Sequence, residues 1–196
     1  MQITTESIQD QIPYYLTRED KENLVKALNN FPRVNYYLNR YPQDFLQGDG
    51  WTSLEVIRIE DGERKRVKGI LLSNSCDIDI TNKRDLPSRI IFSPIIRLSR
   101  YKELLMRSIQ DGNRIENKIA AIKEQKVTAL YYLPKGGALD DDYVAVLDDV
   151  HTIPLKRYIA QNDKQKLFTL SQVGFYLLLL KLSVHFCRFQ ENIERR

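Results

Sequence analysis

The chain has little of what redox or metal chemistry usually requires. Its 196 residues include two cysteines, Cys76 and Cys187, and two histidines, His151 and His185. Neither pair has metal-ligand spacing, so no metal and no cofactor are assigned. Long hydrophobic runs are also missing. The most apolar stretch, residues 175–182, is broken by Lys181 and is far too short to cross a bilayer, so no membrane partner is expected. The start, Met1-Gln2-Ile3-Thr4-Thr5-Glu6, has neither a basic segment nor an apolar one. No signal peptide is read there, and a reducing cytoplasm is the expected compartment. The net charge is only +4. That permits an anionic partner such as RNA without requiring one.

What is present is ordinary globular material. A hydrophobic fraction of 42% and a charged fraction of 29% fit one domain with added elements. The most informative block is residues 48–98. It begins Gly48-Asp49-Gly50-Trp51, runs into a strand, and reaches the basic turn Asp61-Gly62-Glu63-Arg64-Lys65-Arg66. A buried strand over residues 67–73 follows, then the polar loop Asn74-Ser75-Cys76-Asp77, then an apolar strand over residues 90–96. This alternation predicts the opening meander of a small β-barrel, whose polar loops gather at one end.

Elements are added around that meander. Residues 1–45 are expected to form a helical extension, with Thr17 as N-cap, Asp20 in a capping box, and Leu24, Val25 and Leu28 at helical spacing before Pro32. Tyr36, Tyr37 and Tyr41 then form an aromatic cluster that docks the extension or stacks bases. The domain proper is residues 46–196. Within it, Leu104, Leu105, Ile109, Ile115, Ile119 and Ile122 recur at helical spacing. They predict an inserted helical hairpin over about residues 100–126. Strands are expected at residues 127–133, 143–147 and around His151. The sequence Thr169-Leu170-Ser171-Gln172 reads as a capping box opening a C-terminal helix over residues 170–191. The nearly all-round apolar middle of this helix must be buried, against the barrel or a second subunit.

The order of these pieces resembles the PemK/MazF-like toxins. The resemblance lies in Gly48-Asp49, the charged turn with Glu63, Ile70-Leu71-Leu72-Ser73, and the apolar run around Pro94. It continues through Val144-Ala145-Val146-Leu147-Asp148-Asp149-Val150-His151 and on to Tyr158. It implies a mainly β fold with added helices, built on a small SH3-like barrel. It also implies metal-independent endoribonuclease activity, an RNA substrate, a homodimer, and a protein partner such as an antitoxin. Two positions depart from the family. Its Arg-Pro pair, which carries an expected catalytic arginine, is here Lys68-Gly69. Its Pro-Ile-Thr, which supplies a hydroxyl, is here Pro94-Ile95-Ile96-Arg97.

Candidate chemistry follows from the remaining charged and nucleophilic groups. Arg66, Lys68 and Arg97 are candidates to stabilise charge on a phosphate, although no base is identified. Arg64, Lys65, Arg66 and Lys68, joined by Arg100, form the candidate nucleic-acid surface. Cys76 with His151 as its base is a further catalytic candidate, set against Cys76 as a buried small residue. Asp77 and Asp79, if in a strand, would point the same way and join Asp140, Asp141 and Asp142 or Asp148 and Asp149 around a cation; more simply, these acids end strands and solvate turns. Two functions are expected: an RNA-binding or RNA-cleaving toxin relative, or a non-enzymatic protein-interaction module in a toxin–antitoxin or phage-defence system.

Overall fold

The computed structural model describes residues 35–82 and 85–186, together with Lys26. The expected N-terminal helix with Thr17, Asp20, Leu24, Val25, Leu28 and Pro32 lies outside the described residues. So do Cys187 and the expected last turn of the C-terminal helix.

Eight strands form one antiparallel half-barrel: β1 (Tyr37–Leu38), β2 (Gly50–Ile57), β3 (Arg64–Leu71), β4 (Arg89–Arg97), β5 (Leu130–Leu133), β6 (Tyr143–Val146), β7 (His151–Pro154) and β8 (Lys166–Leu170). Their order across the sheet is β1-β8-β2-β3-β4-β6-β5, with β7 also paired to β4. Among the described residues four longer helices are added: α1 (Leu98–Ser108), α2 (Gly112–Lys123), α3 (Leu155–Ile159) and α4 (Gln172–Phe186). The architecture is mainly β with added helices.

β4 organises the sheet because its two halves serve different neighbours. Residues Arg89 to Phe92 pair with β7, whereas Ile95, Ile96 and Arg97 pair with β6. Between them Ser93 is fully buried, and its hydroxyl donates to the carbonyl of Val146 at 2.6 Å. The alternation along β3 then feeds two cores. Ile70 joins Ile95, Tyr143 and Phe168 beneath Leu177, Leu178 and Leu180 of α4. Leu71 joins Trp51, Leu54, Phe92 and Tyr158 on the opposite face. A third cluster, Leu98, Ile122, Leu130, Tyr132 and Val144, seats α1 and α2 against β5 and β6.

The helices α1, α2 and α4 occur where the apolar periodicity placed them, whereas α3 begins at Leu155, in the segment expected to continue the strand around His151. Asp111 caps α2, accepting from the amides of Asn113 and Arg114 at 2.9 and 3.3 Å. The apolar middle of α4 packs on the sheet through Leu177, Leu178, Leu180 and Val184.

Several boundaries differ from the sequence reading. Arg64, Lys65 and Arg66 are not in the turn; they begin β3, so their side chains alternate across a strand. Cross-strand pairing of Arg64 with Ile57 and Lys65 with Val56 extends the ladder past the apolar residues. The helix α4 is capped by Ser171, whose hydroxyl accepts from the amide of Gly174 at 3.2 Å. Thr169 and Leu170 instead end β8, a strand over Lys166–Leu170 that the capping-box pattern does not predict. Asp77 closes a short 3-10 turn over Ser75–Asp77, so Asp77 and Asp79 do not lie in a strand. Among the described residues no helix is long and apolar enough to cross a membrane.

Candidate functional site

Lys68, from the middle of β3, and Arg97, the last residue of β4, converge on one hydroxyl. It belongs to Tyr143, the first residue of β6 and the direct cross-strand partner of Arg97. The Lys68 ammonium donates to the Tyr143 oxygen at 3.0 Å and lies 5.0 Å from the ring centroid. The Arg97 Nε approaches the same oxygen at 3.4 Å. Tyr143 in turn donates to Asp140 Oδ1 at 2.8 Å, and Arg97 pairs with the other carboxylate oxygen of Asp140. The result is a closed ring of Tyr143, Asp140 and Arg97, with Lys68 joined to it through the tyrosine oxygen.

Rigid packing supports this ring on one side only. Tyr143 is buried in the core with Ile70, Ile95 and Phe168, so its hydroxyl is fixed by the sheet. Arg97 and Asp140 are about half exposed, with side-chain exposures of 52% and 55%. A buried phenol therefore presents its oxygen to an open surface flanked by two cations. The hydrogen bond from Tyr143, aided by a backbone hydrogen bond and then by the Arg97 charge, holds the Asp140 carboxyl below its ordinary range. Asp140 is thus ionised at neutral pH. The Tyr143 oxygen and the Asp140 charge likewise hold the Arg97 guanidinium firmly protonated.

Gly69, next to Lys68, sits where the chain leaves no room for a side chain. A Cβ at Gly69 would lie 2.7 Å from Leu54 Cδ1 and 2.9 Å from the Ser93 carbonyl. β3 passes too close to β4 and Leu54 for a side chain at that position. The close approach also seats Lys68 beside the β4–β6 pair.

The other candidates lie elsewhere. Arg66 shares the Lys68 face of β3 but turns to Asp163, in the segment leading into β8. Arg64 and Lys65 are exposed at the start of β3, and Arg100 pairs with Glu103 one turn along α1. Cys76 is exposed in the 3-10 turn, its amide bonded to Asn74 Oδ1 at 2.9 Å, so it is not a buried small residue. His151 contacts Asp149 at 2.7 Å and stacks on Phe92.

The acidic residues are engaged with protein partners. Asp79 accepts from the amide and hydroxyl of Thr81, which lowers its carboxyl's pKa. Asp142 accepts from the Lys135 amide and pairs with Lys123. Among the described residues no group of three or more possible metal ligands gathers.

Sequence reading selected Lys68 and Arg97 but not Tyr143 or Asp140 as their partners. The available signal was the β6 strand pattern beginning at Tyr143, which lacked the β4 register needed to place it opposite Arg97. Compared with known proteins, the chain matches no protein-family model and no curated sequence. Its chemistry therefore rests on the geometry of the ring itself.

Proposed function

We propose that the protein is a divergent PemK/MazF-like toxin relative, with an SH3-like barrel, that engages RNA through the Lys68–Tyr143–Arg97 ring. One observation carries this reading: two cations from separate strands meet at a hydroxyl fixed by the core. A phosphodiester needs positive hydrogen-bond donors held in place, and Lys68 and Arg97 supply them at an open surface. The hydroxyl that the family draws from Pro-Ile-Thr is absent from the sequence after Pro94. Tyr143 supplies one in space, across the ladder from Arg97. Lys68 takes the part of the missing arginine. Arg64 and Arg66, on the Lys68 face of β3, extend the basic surface for further phosphates.

In a cleavage reaction Lys68 and Arg97 would stabilise charge developing on the phosphate oxygens, without a metal. Cys76 and His151 remain a separate catalytic alternative. A cytoplasmic location, homodimerisation and an antitoxin-like partner belong to the same proposal.

The test is incubation with mixed-sequence RNA in EDTA beside Lys68→Ala, Arg97→Ala and Tyr143→Phe. Cleavage by the parent that the variants lose establishes a metal-independent ribonuclease. Salt-sensitive binding without cleavage, weakened by the same variants, establishes a binding protein.

The second reading is a non-enzymatic protein-interaction module. The inserted hairpin favours it, because α1 exposes Leu104 and Met106 at 41% and 55%. Co-purification of one protein that survives nuclease treatment, with RNA neither bound nor cut, would establish it instead.

A further inference from the structure

We infer that Asp140 is a built-in competitor: its carboxylate occupies the anion site formed by Arg97 and Tyr143, and an incoming phosphate must displace it. One Asp140 oxygen accepts the Tyr143 hydroxyl at 2.8 Å, while the other takes the Arg97 guanidinium. These are the two donors that a phosphate oxygen pair would need, and Lys68 stands beside them at 3.0 Å from the same tyrosine oxygen. The carboxylate is therefore an intramolecular stand-in for the ligand.

Its attachments differ from those of the site. Tyr143 is fixed by the core, whereas Asp140 comes from the loop between β5 and β6 and is half exposed. Ion pairs between exposed groups are weak, so this one is readily exchanged. Displacement would also turn the carboxylate from a partner of Arg97 into a nearby negative charge opposing the phosphate. The loop is anchored on both sides of Asp140: Leu139 is buried in the main core, and Asp142 holds the Lys135 amide at 3.0 Å. Removing the Asp140 charge thus leaves the loop's own anchors intact.

The expected consequence runs opposite to that for a binding group. Asp140→Asn should bind phosphate ligands more tightly. Unit charges about 4 Å apart in a water-like medium give an effect of about fivefold in affinity. The RNA reading supplies only the identity of the anion; the competition itself concerns any phosphate.

The experiment measures two probes, fluorescent single-stranded RNA by anisotropy and inorganic pyrophosphate by calorimetry, at one salt concentration. The proteins are the parent, Asp140→Asn, Glu116→Gln and the double variant Asp140→Asn/Arg97→Ala. Glu116 pairs with Lys102 between α1 and α2, so its change alters net charge away from the ring. Tighter pyrophosphate binding by Asp140→Asn, absent in Glu116→Gln and lost in the double variant, supports the competitor. Unchanged or weaker binding by Asp140→Asn overturns it, as does an equal gain in Glu116→Gln. If pyrophosphate shows the gain and RNA binds to none of the proteins, the competitor stands and the RNA reading falls. If the parent binds RNA and Asp140→Asn gains nothing with either probe, the reverse holds.

Discussion

Lys181 offers a quantitative check on how α4 is held to the sheet. It is fully buried in the otherwise apolar face of that helix, and its ammonium donates to the carbonyls of Val127 and Leu130. Burial pushes its pKa down to about 7, against about 10.4 in an unfolded chain. Between those values the unfolded chain keeps a proton that the native protein has released. Stability must therefore rise with pH across that window, and below pH 7, where both states hold the proton, the penalty of burying the charged ammonium is present in full. For these two pKa values, linkage gives a gain of about 3 kcal/mol between pH 7 and about pH 9.5. Burial raises the pKa of Tyr36 and Tyr132, whose titration lies above this range. The assay is urea unfolding at several pH values in the parent and in Lys181→Met, a side chain of similar length without charge. The parent's unfolding free energy should climb, and the variant's should stay nearly level. Because Lys181→Met also leaves two carbonyls without a donor, the slope is the test and the absolute stability is not. A level parent, or equal slopes in both proteins, would refute the burial account of Lys181.

Four other outcomes are expected. Gly69→Ala should lose about 1–3 kcal/mol in chemical unfolding, because its Cβ would press on Leu54 and the Ser93 carbonyl; an unchanged midpoint would mean that β3 and β4 separate easily. Asp49→Ala should cost about 3 kcal/mol or more in the same measurement, since buried Asp49 is paired with Lys166 at 2.7 Å and the lysine would lose its partner. Ser171→Ala should cost about 1 kcal/mol through loss of the α4 cap, whereas Thr169→Val should not reproduce a capping defect. Arg97→Ala should weaken RNA binding about tenfold and lower the salt slope by about one; an unchanged slope would remove Arg97 from the phosphate contacts.

Much of the architecture was legible in local patterns. The strands β2, β3 and β4, the two inserted helices and the buried C-terminal helix follow from apolar period, turn residues and length, all properties of neighbours in sequence. Lys68 could be singled out because it occupies the place where the resemblance expects an arginine, and Arg97 because it is the cation that follows Pro94-Ile95-Ile96. β8 was hidden because Thr169 and Ser171 both carry cap chemistry, and only pairing with β1 and β2 shows which of them ends a strand. The basic residues Arg64 to Arg66 read as a turn in sequence because charge favours hairpin tips. Pairing with Ile57, Val56 and Glu55 made them strand.

The sequence by itself determined the type of the longest elements, the absence of a long apolar span and the excess of basic groups near β3. Only the tertiary structure decided which of those groups act together. Lys68, Arg97, Asp140 and Tyr143 are scattered over 76 positions of chain, and no local preference relates them. The β3–β4–β6 register does so, by setting Arg97 opposite Tyr143 and Gly69 opposite Pro94. Hydrophobic period selects which face of a strand is buried; the packing of the whole sheet determines which polar ends of those strands meet.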